Sequence, residues 1–341
     1  MNKKLFEKKI GSGLVFGKFL PLHEGHVYLM NFAQQSCHRL TILVCTLPNE
    51  PIPGEVRFQW VKKMFPDANV VHHNVVIPQY SNEHPDFWNI WKRSIEKFCP
   101  GEEFDALFGS EDYGWKMADV MGIEYIPVDR DRALVPISGT EIRKNPLKHW
   151  QYLPVEVRPY FVKRVAIVGP ESTGKSTLTK ALAKHFETSY AHEYARSLLD
   201  DYAKHTEYED GEVRLEDIST IARGQIATED ALARRARKVL FCDTELTTTT
   251  FWSDFYFKTC PAWVKQEAAR RTYDLYLLLD VDVPWKKDPL RPMSDLKKRR
   301  QFLAWWEEKL TLEHRPFVKI AGSWDQRFEL ARNSVETILL S

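Results

Sequence analysis

Two α/β domains, each built on a mainly parallel sheet, are what the chain predicts, and three observations carry that expectation. Its 341 residues exceed what one hydrophobic core usually serves. Short apolar runs alternate with helix-patterned segments in both halves, as in a parallel sheet covered on both faces. Between the halves, residues 145–163 lose that alternation and are spaced by Pro146, Pro154 and Pro159. The expected layout is a first domain at 1–150, a linker at 151–163 and a second domain at 164–341.

Composition narrows the class. The chain is 43% hydrophobic and 28% charged, ordinary for a globular protein. Its 48 basic and 47 acidic residues leave no net field to recruit nucleic acid or an anionic membrane, and Lys297 to Arg300 reads as a solvated helix face. Five widely spaced cysteines without a C-x-x-C pair argue against disulfides or a zinc site. No run approaches the roughly 18 apolar residues that cross a bilayer, and the N-terminus makes a poor signal peptide. A cytoplasmic protein without membrane insertion is expected.

In the first half, the run 13–17 reads as a buried strand. Helix is expected over 27–36 and strand over 40–45, followed by helix 55–65, strand 69–76, helix 88–98, strand 104–108, a helix after Glu111 and strand 123–128. Ligands in such sheets gather at the carboxyl ends of strands, where Lys18-Phe19-Leu20-Pro21-Leu22-His23-Glu24-Gly25-His26 falls. Two histidines three apart at a strand-to-helix turn can face one site and donate to phosphate oxygens; Gly25 admits a close ligand. Later, Ile137-Ser138-Gly139-Thr140-Glu141-Ile142-Arg143 runs from a turn into a helix, with Ser138 as cap and Arg143 one turn inside.

The pairing of Gly17-x-Phe19-x-Pro21-x-His23-x-Gly25-His26 with Ile137-Ser138-Gly139-Thr140-x-Ile142-Arg143 resembles the H-x-G-H nucleotidyltransferase superfamily. The resemblance implies a Rossmann-like domain in which an attacking phosphate displaces pyrophosphate from ATP with no covalent enzyme intermediate. His23 and His26 would meet the ATP phosphates, Lys18 would lie beside them, and Ser138 and Arg143, with Gly139 and Thr140, would hold the outer phosphates. Gly109, Ser110 and Asp112, after a strand end, would bind the adenosine part. Trp88 and Trp91 share one helical face; core packing and stacking on an aromatic base or pyridine ring are both open, with Trp88 the preferred stacker.

The second half opens on a strand at 164–168 and Gly169-Pro170-Glu171-Ser172-Thr173-Gly174-Lys175-Ser176-Thr177. This G-x-x-x-x-G-K-[ST] loop between strand and helix is a phosphate cradle. Its backbone N–H groups point inward, Lys175 reaches the outer phosphates and the Ser176 hydroxyl can hold Mg²⁺. Helix is expected over 177–186, opening again near His192-Glu193-Tyr194-Ala195-Arg196, and over 215–235; strand follows at 238–242, a helical stretch near 263–271 and strand at 275–279. Asp243, directly after a strand, suits a Walker-B carboxylate for the metal. Arg291 suits a lid closing over phosphates.

The whole chain resembles NadR-type proteins, in which nicotinamide mononucleotide (NMN) adenylyltransferase is joined to a P-loop ribosylnicotinamide kinase. It implies that the second domain phosphorylates nicotinamide riboside and the first joins the product to AMP, giving NAD, with ATP and Mg²⁺ at both steps. Glu193 and Asp243 are candidates for orienting the hydroxyl; Glu193 with Arg196 is favoured for the ribose and Asp243 for the metal. Where relatives can place an aromatic before the Glu-Tyr pair, this chain has His192, whose imidazole could lie flat on a ring. Some family members carry an N-terminal helix-turn-helix. With the first strand near residue 13, neither that domain nor DNA binding is expected here. Expected partners are nicotinamide riboside, NMN, ATP and NAD; a homo-oligomer is left open, and a riboside transporter enters by family analogy alone. Two rivals stand: the same fusion acting on another small phosphate metabolite, or a nucleotide sensor with little turnover.

Overall fold

The computed structural model describes residues 9–209, 212–286 and 293–340. The chain divides into two compact units between Val157 and Arg158.

The first unit runs β1 (Ile10–Gly17), α1 (Glu24–Ser36), β2 (Cys37–Cys45), α2 (Gly54–Met64), β3 (Asn69–His73), α3 (Phe87–Phe98), β4 (Ala106–Gly109), α4 (Tyr113–Met121), β5 (Glu124–Pro127) and α5 (Gly139–Lys144). Its sheet has the order β3-β2-β1-β4-β5, with every pairing parallel. The central strands carry unbroken buried runs, as strands covered on both faces must. Leu14, Leu43 and Leu107 meet Phe87, Trp91, Ile95 and Met117 from α3 and α4 in one core. The order reverses at β1, between β2 and β4, which opens a crevice at the carboxyl end of β1.

The second unit runs α6 (Arg158–Phe161), β6 (Lys163–Val168), α7 (Lys175–His185), β7 (Tyr190–Ala191), α8 (Tyr194–His205), α9 (Asp217–Ala233), β8 (Val239–Asp243), α10 (Leu246–Phe257), α11 (Ala262–Arg270), β9 (Leu275–Leu279), α12 (Leu296–Leu312), β10 (Phe317–Ile320) and α13 (Trp324–Leu340). Its sheet is β10-β9-β6-β8-β7, again parallel throughout. Val165, Ile167, Phe241 and Leu277 pack against α7 and α13 through Leu178, Leu182, Ala331 and Val335. The phosphate-cradle loop therefore leaves the central strand of its sheet.

Several elements differ from the sequence expectation. The third strand stops at His73 rather than running to 76, since His73 turns its ring onto Trp91 and Phe98. Helix α10 is not expected from the sequence, because four consecutive threonines, Thr247 to Thr250, are poor helix formers. The helix forms nonetheless because Glu245 caps it, its carboxylate accepting from the Thr247 amide at 2.8 Å. Beyond residue 279 the sequence pattern assigns only a solvated helix face at Lys297 to Arg300, whereas α12, β10 and α13 complete the sheet and cover it, and Arg299 in that face is buried rather than solvated.

Candidate active sites

In the first unit, the chain leaves β1 at Gly17 and makes a tight turn in which Phe19 adopts a left-handed φ of 46°. Phe19 is buried and meets the His26 ring edge-on, 5.1 Å between centroids. His23 is the N-cap of α1; its Nδ1 accepts from the Gly25 amide at 3.2 Å, which puts the ring proton on Nε2. A side chain at residue 25 would bring its Cβ to 3.1 Å from the His23 ring, so that glycine serves the imidazole's seat. The two imidazoles stack 3.7 Å apart.

The second motif is brought to the first. Ser138 and Glu141 form a reciprocal capping box at the start of α5. Arg143 donates to the Leu20 carbonyl and, at 3.0 Å, to the Thr140 hydroxyl. A Cβ at Gly139 would lie 2.6 Å from the same Leu20 carbonyl, so α5 can seat there only with glycine at that position. Lys18 pairs with Glu50 at 3.3 Å, while the fully buried Arg57 binds Glu50 and the Lys18 carbonyl. Glu50, Arg57 and Arg132 are not legible in the sequence, which offers no local motif for them. Ser110 donates to the Val128 carbonyl at 2.7 Å, and Asp112 pairs with Arg130 at 2.8 Å. Trp91 is buried with its indole N–H on the Pro78 carbonyl, whereas Trp88 is half-buried and edge-on to Phe87.

Burial, reinforced by the Arg132 charge, brings the His23 pKa down to about 4. Burial, His23 and Arg132 likewise hold His26 well below the ordinary range. Both rings are therefore neutral N–H donors near pH 7. An unfolded histidine takes up its proton near pH 6.5, before the folded one does, so stability falls as pH drops from about 6.5 toward 4. His23→Asn, which keeps a capping acceptor, is expected to lose about 3 kcal/mol less than wild type on acidification across that window. Urea unfolding at both pH values measures this. Equal losses in the two proteins would count against it.

In the second unit, Gly169 (φ 130°) and Gly174 (φ 90°) supply the left-handed curls of the cradle. A Cβ at Gly169 would stand 2.7 Å from the Leu279 carbonyl. Lys175 opens α7 and donates to the Gly169 and Pro170 carbonyls at 3.0 and 2.9 Å, and the Thr173 hydroxyl donates to Pro170 at 2.8 Å. The Glu171 carboxylate accepts from the Met293 amide and the Ser172 hydroxyl from the Lys286 amide.

Around this loop, one pocket brings Glu171, Ser172, Lys175, Ser176 and Thr177 together with Glu193 and Arg196. Its far wall is Thr248, Trp252 and Tyr256, spaced four apart on one face of α10, with the last two rings 5.5 Å apart and nearly parallel. Sequence reasoning misses that stripe along with its helix; the four-residue spacing of Thr248, Trp252 and Tyr256 is the signal that could find it. His192 is exposed and lies outside the lining. Arg291 lies outside the described residues. Asp243 ends β8, nearly inaccessible, and burial raises its carboxyl pKa against a hydrogen bond from Ser176 and the charges of Lys175 and Arg196. Among the described residues its buried Oδ1 has no hydrogen-bond partner. A buried oxygen of this kind beside a P-loop hydroxyl fits a hard divalent cation.

Residues 164–327 match the family described as AAA domain. Over 334 residues the chain is 32% identical to the trifunctional NAD biosynthesis/regulator protein NadR of Escherichia coli (strain K12), covering 93% of this chain and 80% of that protein. It is 31% identical to the protein of the same name from Salmonella typhimurium, with the same coverage. Among solved structures, a NadR protein in complex with NR matches with a TM-score of 0.77 at 22% identity over 96% of both chains. A NadR protein in complex with NAD and AMP-PNP matches at 0.76 and 21% over 97% of both. At such identities the structural likeness speaks for the fold, and the sequence identity to the two bacterial proteins speaks for the relationship: the chain belongs to the NadR family.

Proposed function

We propose that the chain makes NAD in two ATP-dependent steps, the second unit phosphorylating nicotinamide riboside and the first joining the resulting mononucleotide to AMP. The observation that carries this reading is the wall of the P-loop pocket, where Glu193 and Arg196 stand with the parallel rings of Trp252 and Tyr256. A pyridinium riboside is a cation with an aromatic face, and paired π-systems favour it through both stacking and cation–π attraction.

In the kinase step, the riboside 5′-oxygen attacks the γ-phosphorus of ATP. The new O–P bond forms as the bond to the β-phosphate bridging oxygen breaks, ADP leaves and the hydroxyl proton passes to Glu193. Arg196 holds the ribose end, Lys175 the outer phosphates, and the loop amides from Glu171 to Thr177 the rest. Ser176 and Asp243 would hold Mg²⁺, which when bound offsets phosphate charge. In the transferase step, a phosphate oxygen of NMN attacks the α-phosphorus of ATP and pyrophosphate leaves. His23 and His26 donate N–H bonds to the charge that develops; Lys18, Ser138 and Arg143 hold the departing phosphates, and Gly109, Ser110 and Asp112 flank the adenosine. Trp88 remains the stacker proposed for the transferase pyridine ring.

Purified chain given ATP, Mg²⁺ and nicotinamide riboside is expected to form NMN and then NAD. Formation of neither, from riboside or from supplied NMN, would sink the reading. Trp252→Ala is expected to raise KM for the riboside about tenfold, roughly 1.4 kcal/mol of lost stacking, with KM for ATP little changed. Steady-state kinetics in each substrate check it; an unchanged riboside KM would remove Trp252 from the pocket's recognition role.

A further inference from the structure

We infer that Gln225 is a positioning residue for phosphoryl transfer, fixing the main chain that carries Glu193; this rests on the kinase reading above. Glu193 is the N-cap residue of α8, and its side chain caps none of that helix's amides. The first amide of the helix, that of Tyr194, donates instead to Gln225 Oε1 at 3.1 Å, across from α9. A helix N-terminus leaves such amides without intrahelical partners, so this bond ties the start of α8 to its neighbour.

The orientation of Gln225 is itself determined. The residue is 3% exposed, and its Nε2 donates to Glu229 Oε1 at 3.1 Å. Glu229 is fully buried and accepts from the Tyr273 hydroxyl, from Arg164 at 3.2 Å and from Arg271 at 3.4 Å. Burial pushes the Glu229 pKa up, but two guanidiniums and a hydroxyl all donate to this carboxylate and favour its charged, accepting form, so the amide nitrogen of Gln225 faces it and the amide oxygen faces Tyr194. The preceding residue completes the seat: a Cβ at Gly224 would fall 2.0 Å from the Tyr194 ring, so the ring lies flush on the α9 backbone. Two consecutive positions of a 17-residue helix thus hold both the main chain and the side chain of Tyr194, one residue from the carboxylate that takes the proton.

The reaction is sensitive to that placement, since a displacement of about 1 Å at a reacting group costs on the order of 10²-fold in rate. Without an acceptor at 225, the Tyr194 amide loses its partner and the start of α8 is no longer tied to α9, so the main chain that carries Glu193 can shift.

The test uses the full chain, with adenylyl transfer to supplied NMN as a control on the same preparation. Gln225→Leu is expected to lower kcat for riboside phosphorylation about 10- to 100-fold, with KM for ATP within about twofold and the transferase rate unchanged. Gln225→Glu alone sets two carboxylates against each other and is expected to stay low. The exchange Gln225→Glu with Glu229→Gln restores an acceptor facing Tyr194 and a donor at 229 with the same buried charge, and is expected to recover kcat to within about threefold of wild type. The inference is overturned if Gln225→Leu keeps its kcat, if its loss only tracks folded protein measured by circular dichroism, or if the folded exchange variant fails to recover. A wild-type chain that phosphorylates no riboside overturns the kinase reading itself and the positioning role with it.

Discussion

Lys175→Ala is expected to lower kcat for riboside phosphorylation about 10³-fold while NAD formation from supplied NMN and ATP stays within about twofold. The lysine opens α7 at the point where the cradle loop ends, and its ammonium lies inside the curl, on the Gly169 and Pro170 carbonyls. Removing one preorganised neutral donor from a transition state costs about 10²- to 10³-fold. A full positive charge facing a transferring phosphoryl group belongs at the upper end of that range. The change removes the two lysine bonds to the loop but leaves Gly169, Gly174 and the Thr173 bond to Pro170, so the curl is expected to survive it. Measuring both products on one preparation decides the matter, and loss of both would mean that the two reactions do not occupy separate sites.

What can be read from the sequence follows how local each feature is. Strands β1 and β6 are apolar runs bounded by glycine, and the motifs that follow them are continuous in the chain, so both are legible from residue order alone. The two-residue β7 is too short for any periodicity, and α10 is hidden by its threonines. The pocket wall is of another kind. Trp252 and Tyr256 line one pocket with Glu193 although some sixty residues of chain separate them, an outcome of the tertiary fold rather than of spacing in the chain.

The same distinction separates the residues around the histidines. His23, His26 and Arg143 belong to short motifs, whereas Arg57 acts through carbonyls of the loop after β1 and the end of β2, and Arg132 acts through charge across a fold. Neither leaves a pattern in the chain: the buried Arg57 is set by the placement of main-chain carbonyls, and the exposed Arg132 is placed by a loop, where it pairs with Glu111.

The reverse separation is expected from His26→Ala: NAD formation from NMN falls about 10²- to 10³-fold, and riboside phosphorylation is unchanged. The imidazole is held between the Phe19 edge and the His23 face, so its N–H direction is fixed before substrate arrives. Kept neutral by burial, it would offer one N–H to the pyrophosphate in the proposed transfer, with no proton equilibrium to complete first. Alanine removes both the donor and the packing, so His26→Asn, which keeps an N–H near the same place, separates the two contributions. If hydrogen bonding carries the effect, the asparagine variant should recover part of the rate that alanine loses. If the two variants are equally inactive yet equally folded, the ring's packing against Phe19 and His23 is what the transfer needs, and the donor role assigned to His26 falls.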